Sequence, residues 1–408
     1  MAETDRNAPL SAAMMLRGIV EQHYKNAWEA KKRGEMVGWC ASNFPQEIPE
    51  TLGVPVVYPE NQAAAIAAKG GGLRMCEHAE NEGYSNDICA YARINLAFAD
   101  LKDCEELNMP QPDFLLCCNN ICNCMIKWYE NLAHKLNIPM ILIDIPYKND
   151  YETDDDTAEY IKAQFDEAFR QLSAITGKPF SEERFKEVME ISLRSSRAWL
   201  KATDFCRYQP SPLNGFDLFN HMAVAVCARG KIEAAEAFEK LAEEYEQAVK
   251  DGTSTYKGEQ RFRVLFEGIA CWPYLRATFS PLRKNGVNVV ATVYADAFGV
   301  IYNNTMEMMK AYSYVPNCVS LERAVDMRVK VGRRTNIDGA IIHTNRSCKL
   351  WSGIMPEIER RLRAELGVPT VTFDGDQADP RNFSEAQYLT RIDGLCEIMQ
   401  ARKEAKAQ

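Results

Sequence analysis

The sequence predicts an α/β protein with two doubly wound, flavodoxin-like parallel sheets and a helical domain between them. Two stretches alternate short apolar runs with helical patterns of a dozen or more residues, from Val54 to about residue 146 and from Phe262 onward. Between them, from about residue 155 to Gly258, strand signals vanish and long amphipathic helices follow one another. Apolar runs without polar alternation belong to strands buried on both faces, as in a parallel sheet covered by helices. The expected division is an N-terminal helical segment (1–50), a first α/β domain (51–155), a helical domain (156–260) and a second α/β domain (261–408).

Each element has a local reason. SAAMMLRGIVEQHYKNAWEAKKRGE places apolar residues at helical spacing and ends at Gly34. VPVVYPE reads as a strand, NQAAAIAAKGG and DICAYARINLAFADL as helices, DFLLCC as a strand, CNCMIKWYENLAHKLN as a helix and PMILIDIP as a strand. In the middle block, TAEYIKAQFDEAFRQLSAITG, SEERFKEVMEISLRSSRAWLKATDF and KIEAAEAFEKLAEEYEQAVKDG are helices. The second opens on Ser181, with Glu182 and Glu183 suited to the positive end of the helix dipole. FRVLFEG, VNVVATVYAD, GAIIHTN and VPTVTFDGD supply the strands of the second sheet.

A chain of 408 residues is too long for one ordinary core. With 46% hydrophobic and 26% charged residues and a net charge of −9, it lacks the basic balance that binds nucleic acid or anionic membranes. It has no signal-peptide-like start and no long apolar span, and is expected to be cytoplasmic. Fourteen cysteines in such a chain argue against a disulfide framework and leave metal, catalysis or burial. Cys40, Cys104, Cys206, Cys227, Cys271, Cys318 and Cys396 lie in apolar or helical surroundings and are expected to be buried, as are Cys117 and Cys118 in an apparent strand.

The two α/β stretches echo each other. DFLLCCNNICNCMIKWYENLAHKLNIPMILID and GAIIHTNRSCKLWSGIMPEIERRLRAELGVPTVTFD both read strand, Asn, Cys, helix, Pro, strand, Asp, with Cys122 and Cys348 at the strand-to-helix crossing. Open α/β sheets bind ligands beyond the carboxyl ends of their strands. There a helix N-terminus carries partial positive charge and unpaired N–H donors that favour thiolate. Cys89, opening CAYARINLAFADL after a turn-rich stretch, has the same setting. No paired CxxC units announce zinc. Spacing alone leaves an iron–sulfur cluster and plain burial both open.

DICAYARINLAFAD, NNICNCMIKWYE, HTNRSCK and SNFPQEIPETLGVPVVYPENQAAA resemble the signature segments of the 2-hydroxyacyl-CoA dehydratase and benzoyl-CoA reductase family, from about Trp39 to Phe373. Cys124 stands where a small hydroxyl residue is expected. The resemblance implies a 4Fe-4S cluster held between domains by Cys89, Cys122 and Cys348, with the fourth iron open. It also implies a homologous β subunit, an ATP-dependent iron–sulfur activator protein, and dehydration of an (R)-2-hydroxyacyl-CoA through a ketyl radical. The expected acyl group is 2-hydroxyisocaproyl. Two alternatives stand beside this: within the family, an aryl-CoA reductase, which would keep the electrons in its product, and from a different class, a non-catalytic electron-transfer protein. No GxGxxG or Walker motif is present, in line with chemistry that needs no nicotinamide in this chain.

Further polar residues carry two readings each. Ser42 either hydrogen-bonds an oxygen ligand on the open iron or caps a turn. Glu60 either orients or assists the leaving hydroxyl, or stabilises a helix start. Asn119 and Asn120 either flank the site or satisfy the turn before Cys122. His343, two residues before Asn345, is either a polar neighbour of the cluster or a satisfied core residue. Arg346 and Lys349 are candidates for phosphates, without a cradling motif.

Overall fold

The computed structural model describes residues 11–148, 150–316 and 318–408. Two four-stranded sheets organise it. The first contains β1 (Gly38–Cys40), β2 (Val56–Val57), β3 (Phe114–Cys118) and β4 (Met140–Ile143), in the order β2-β1-β3-β4. The second contains β5 (Phe262–Glu267), β6 (Val287–Ala291), β7 (Gly339–Asn345) and β8 (Thr370–Gly375), in the order β6-β5-β7-β8. Every pairing is parallel. Both sheets thus share one order, second-first-third-fourth, which begins the flavodoxin-like arrangement. The sequence echo around Cys122 and Cys348 is the trace of this topological repeat.

Most strands are buried along their whole length, the edge strands β2 and β6 included. β3 and β5, in sheet interiors, are buried at every residue, whereas the edge strand β4 exposes Leu142 and half-exposes Met140. One strand lies outside the expected frame. β1 falls within the 1–50 stretch expected to be helical, yet it pairs with both β2 and β3. Three residues, Gly-Trp-Cys, are too few to set up a periodicity. Trp39 holds the strand in place, donating from Nε1 to Pro110 O at 2.9 Å. The N-terminal helix itself forms at Ala12–Lys32, capped by Ser11.

The middle of the chain folds as Asp155–Thr176, Glu182–Asp204, Phe216–Ala228 and Ile232–Asp251, with no strand among the described residues there. Asp154 and Ser181 cap the first two by accepting from Thr157 N and Arg184 N at 2.7 and 3.2 Å. Phe216–Ala228 escapes a periodicity search because it is apolar nearly all round and packs among other helices. No helix of the described residues is long and apolar enough to cross a membrane.

A buried carboxylate ties these parts together. Glu47, fully buried just after β1, accepts from Ser192 Oγ (2.6 Å), Tyr302 OH (2.9 Å) and Tyr312 OH (2.5 Å), with Arg229 at 3.6 Å. Burial works to raise its pKa. Arg229, Ser192 and Tyr312 outweigh that and hold the carboxyl below its usual range. A group depressed in this way stabilises the fold above its unfolded pKa of about 4.3 and loses that contribution as pH falls. Glu47→Gln should therefore lower stability at pH 7 by about 3–5 kcal/mol, since it strands a buried arginine. Urea unfolding at pH 7 and pH 4 should show a smaller pH dependence in the variant than in the parent; equal pH dependence would exclude Glu47 as the acid-sensitive tie.

Candidate functional site

Parallel strands end on a common edge, and the residues that follow them meet between the two sheets. Ser42 follows β1, Glu60 follows β2, Cys122 follows β3, Trp272 follows β5, Tyr294 follows β6 and Cys348 follows β7. Cys89, Cys122 and Cys348 are each the N-cap residue of a helix: Ala90–Leu101, Asn123–Leu136 and Lys349–Ser352. The thiols form no capping hydrogen bond. The backbone N–H groups three residues on, at Ala92, Met125 and Trp351, nevertheless favour each thiolate.

The three sulfurs lie close enough for the charge on one to act on another, Cys89 sensing both Cys122 and Cys348. Burial is the largest influence on all three, and neighbouring thiols add to it. Cys89 rises well above the usual thiol value, Cys122 to about 12 and Cys348 to about 11. Near neutrality, a thiol so raised keeps its proton until a cation replaces it. Among the described residues, no three His, Cys, Asp or Glu side chains close on a point as ligands of one ion would. Three cysteine thiols at helix starts are a donor set of the kind that iron–sulfur clusters use.

Cys124, half-buried in the first turn of the same helix as Cys122, joins this group and acts on all three sulfurs. Cys117 and Cys118 are buried in β3, as expected. So are Cys40, Cys206, Cys227, Cys271 and Cys318; Cys104 and Cys396, expected to be buried, are only half-buried, on a loop and on the C-terminal helix.

Ser42 and Glu60 form a pair. Glu60 Oε1 accepts from both Ser42 N and Ser42 Oγ at 2.9 Å, while Oε2 is buried without a partner. Burial raises the Glu60 pKa against the opposing effect of Ser42. Both line a cavity of about 570 Å³, whose wall also includes Tyr91, Trp272, Tyr294, Phe219, Phe298, Met222, Val226 and Leu16. Trp272 Nε1 donates to Tyr91 OH at 2.6 Å, which braces the wall beside Cys89. A cavity whose wall is mainly apolar, with polar groups set into it, is the usual make-up of a small-molecule site.

Other candidates take structural places. Asn119 donates to Asp144 and accepts from Ile145 N at 2.7 Å; Asn120 donates to Tyr312 O at 3.0 Å. His343 is fully buried, stacked on Phe373 at 4.7 Å, with Nδ1 2.6 Å from Ile269 O. Lys349 is exposed and paired with Asp87 at 2.6 Å.

Residues 41–399 match the family model described as 2-hydroxyglutaryl-CoA dehydratase, D-component. The chain belongs to this family. Among its relatives, the dehydratase from Clostridium sporogenes named (R)-phenyllactyl-CoA dehydratase alpha subunit is 61% identical, over 99% of this chain and 100% of its own. The (R)-2-hydroxyisocaproyl-CoA dehydratase alpha subunit of Clostridioides difficile is 49% identical, over 96% and 97%. The (R)-2-hydroxyglutaryl-CoA dehydratase subunit alpha of Acidaminococcus fermentans is 45% identical, over 96% and 98%. Dehydratases of this family are hydro-lyases, and the expected membership holds.

One residue of the site carries no recognisable signal in the sequence. Gln377, fully buried after β8, donates from Nε2 to Cys89 Sγ at 3.2 Å. Its only local mark is a position just past a strand end in FDGDQADP. Replacing Cys89, Cys122 or Cys348 with Ala, one at a time, should each reduce bound iron and acid-labile sulfide at least about tenfold in anaerobically purified protein. Cys117→Ala and Cys118→Ala should leave both unchanged; iron loss in these two and retention in the first three would overturn the ligand set.

Proposed function

We propose that this chain is the α-type catalytic subunit of an (R)-2-hydroxyacyl-CoA dehydratase. In this assignment Cys89, Cys122 and Cys348 hold a 4Fe-4S cluster with one iron free of protein ligands. The carrying observation is that three N-cap cysteines lie near enough to act on one another's charge, and that Cys122 also senses Glu60, which with Ser42 lines an apolar cavity. When bound, the cluster supplies a low-potential electron to the substrate thioester, which makes loss of the 2-hydroxyl feasible. A homologous β subunit and an ATP-dependent iron–sulfur activator complete the system; relatives carrying the name α subunit support the first of these.

The side chains divide the remaining work. Ser42 occupies Glu60 Oε1 with two donors and leaves Oε2 for the substrate. Burial pushes the Glu60 pKa up, which suits it to pass a proton from Oε2 to the departing 2-hydroxyl, releasing water. Tyr91 and Trp272 keep bulk water from the thioester.

The acyl group we propose is aromatic, (R)-phenyllactyl or a near analogue, in place of the 2-hydroxyisocaproyl group expected from sequence. Support comes from the relative named for phenyllactyl-CoA at 61% identity, against 49% for the isocaproyl enzyme, and from Phe219, Phe298, Trp272 and Tyr294 in the cavity wall. Aromatic rings favour offset or edge-on contact with such a wall.

The chain, purified without oxygen together with its partner subunit, should be brown and should convert (R)-phenyllactyl-CoA to the 2-enoyl-CoA only with activator, ATP and a reductant. A colourless, iron-free protein would exclude the assignment, and a product more reduced than the enoyl thioester would make the enzyme a reductase. On the same preparation, kcat/KM for phenyllactyl-CoA should exceed that for 2-hydroxyisocaproyl-CoA by about tenfold or more, within the range a hydrophobic pocket achieves; the reverse order would exclude the aromatic assignment. Glu60→Gln should lower kcat by roughly 10²–10⁴ with iron content unchanged. Parent kcat should fall as pH rises through the range where Glu60 loses its proton, and the variant should lack that limb.

A further inference from the structure

Gln377 sits in the short loop after β8, which packs against the helix carrying Cys89. Asp376, at the loop's start, accepts from Ser347 N at 2.9 Å through Oδ2 and from Ala378 N and Asp379 N at 2.9 and 3.1 Å through Oδ1. Ser347, next to Cys348, in turn accepts from Ala90 N at 3.0 Å, next to Cys89. Asp379 pairs with the fully buried Arg93 of the Cys89 helix at 2.8 Å. A Cβ at Gly72 would come within 2.2 Å of Ala378 O, so the loop has no room to shift in that direction.

Within this bracket the Gln377 backbone is held twice. Its N–H donates to Asn345 Oδ1 at 3.3 Å and its carbonyl accepts from Trp272 N at 3.3 Å. The side chain then has one direction to take. Nε2 donates to Cys89 Sγ at 3.2 Å, and Oε1, also buried, meets no protein donor. A fully buried amide with one half unpaired is costly for a residue that only fills space.

We propose that Gln377 is a positioning residue that sets the reduction potential of the cluster through its N–H···S hydrogen bond to Cys89. This rests on the cluster assignment made above. Donors to cysteine sulfur are one of the means by which a protein adjusts iron–sulfur potentials. One-electron reduction adds negative charge that spreads onto the ligating sulfurs, and a donor aimed at Cys89 stabilises the reduced form more than the oxidised one. Gln377 thereby raises the potential and makes the cluster easier for a low-potential one-electron donor to reduce. The backbone ties fix where the amide points, so the effect depends on the loop and on Arg93 as much as on Gln377 itself.

The test is a reductive titration of anaerobically purified protein, with its partner subunit, followed by electron paramagnetic resonance at defined potentials. Parent, Gln377→Met and Gln377→Glu are compared at equal iron and sulfide content. The expected order of midpoint potential is parent highest, Gln377→Met lower, and Gln377→Glu lowest, since the last replaces a donor with a negative charge of the same shape. A purely structural role would change melting temperature or cluster content and leave the midpoint in place. Identical midpoints in parent and Gln377→Met would overturn the inference while leaving the cluster assignment intact. Should Gln377→Met fail to retain the cluster, Gln377→Asn, whose shorter amide withdraws the donor without adding charge, takes its place, and a midpoint equal to that of the parent overturns the inference. A parent protein without iron and sulfide would overturn both.

Discussion

Parallel pairing forces every strand of a sheet to finish on the same edge, and in this protein that one constraint decides where chemistry is possible. Each strand that ends there must hand the chain to a helix or loop, and each helix presents its positive end to the same space. Two sheets with one strand order, arranged so that residues beyond their carboxyl edges meet, concentrate such ends in a single volume. Three cysteines occupy N-cap positions there, where short polar residues would ordinarily satisfy the backbone. Their sulfurs leave the N–H groups unsatisfied by capping and available to an anionic ligand.

Such a concentration of half-buried thiols needs a rigid frame. Glu47 and its partners join the segment after β1 to the helical domain and to the loop helices of the second half. On the other side, Glu267 at the end of β5 accepts from Arg328 at 2.8 Å and from Trp351 Nε1 at 2.8 Å, and Trp351 lies in the Cys348 helix. Both carboxylates are fully buried and both are held by hydrogen bonds as well as by an arginine. Buried ion pairs add little net stability compared with apolar packing, but breaking them is costly, which makes them suited to holding a single arrangement.

The polar groups left over around the cysteines have a pattern. Glu60 Oε2, Gln377 Oε1 and Asn345 Nδ2 are all buried and unpaired, and all lie at or next to the strand ends where the cysteines gather. A folded interior ordinarily pairs its polar side chains. Unpaired groups next to the gathered cysteines are free to take their complement from a ligand.

Much of this was legible from the chain alone. The parallel sheets showed as apolar runs without alternation, and the topological repeat as the strand-Asn-Cys-helix echo. Cys122 and Cys348 were readable because an N-cap is a local feature, set by a handful of neighbours. β1 was not, because three residues cannot show a period, and Phe216–Ala228 was not, because a helix buried on nearly every side has little polar face to reveal it. Gln377 could not be found because the residue it acts on is 288 positions away, and no local pattern encodes that approach. The sequence by itself determined which residues end strands and start helices, since that depends on contacts within a few positions. Only the tertiary structure decided which of those ends face one another, because packing between the two sheets, through Arg93, Asp376 and Ser347, is what brings Cys89 to Cys348 and aims the Gln377 amide at its sulfur.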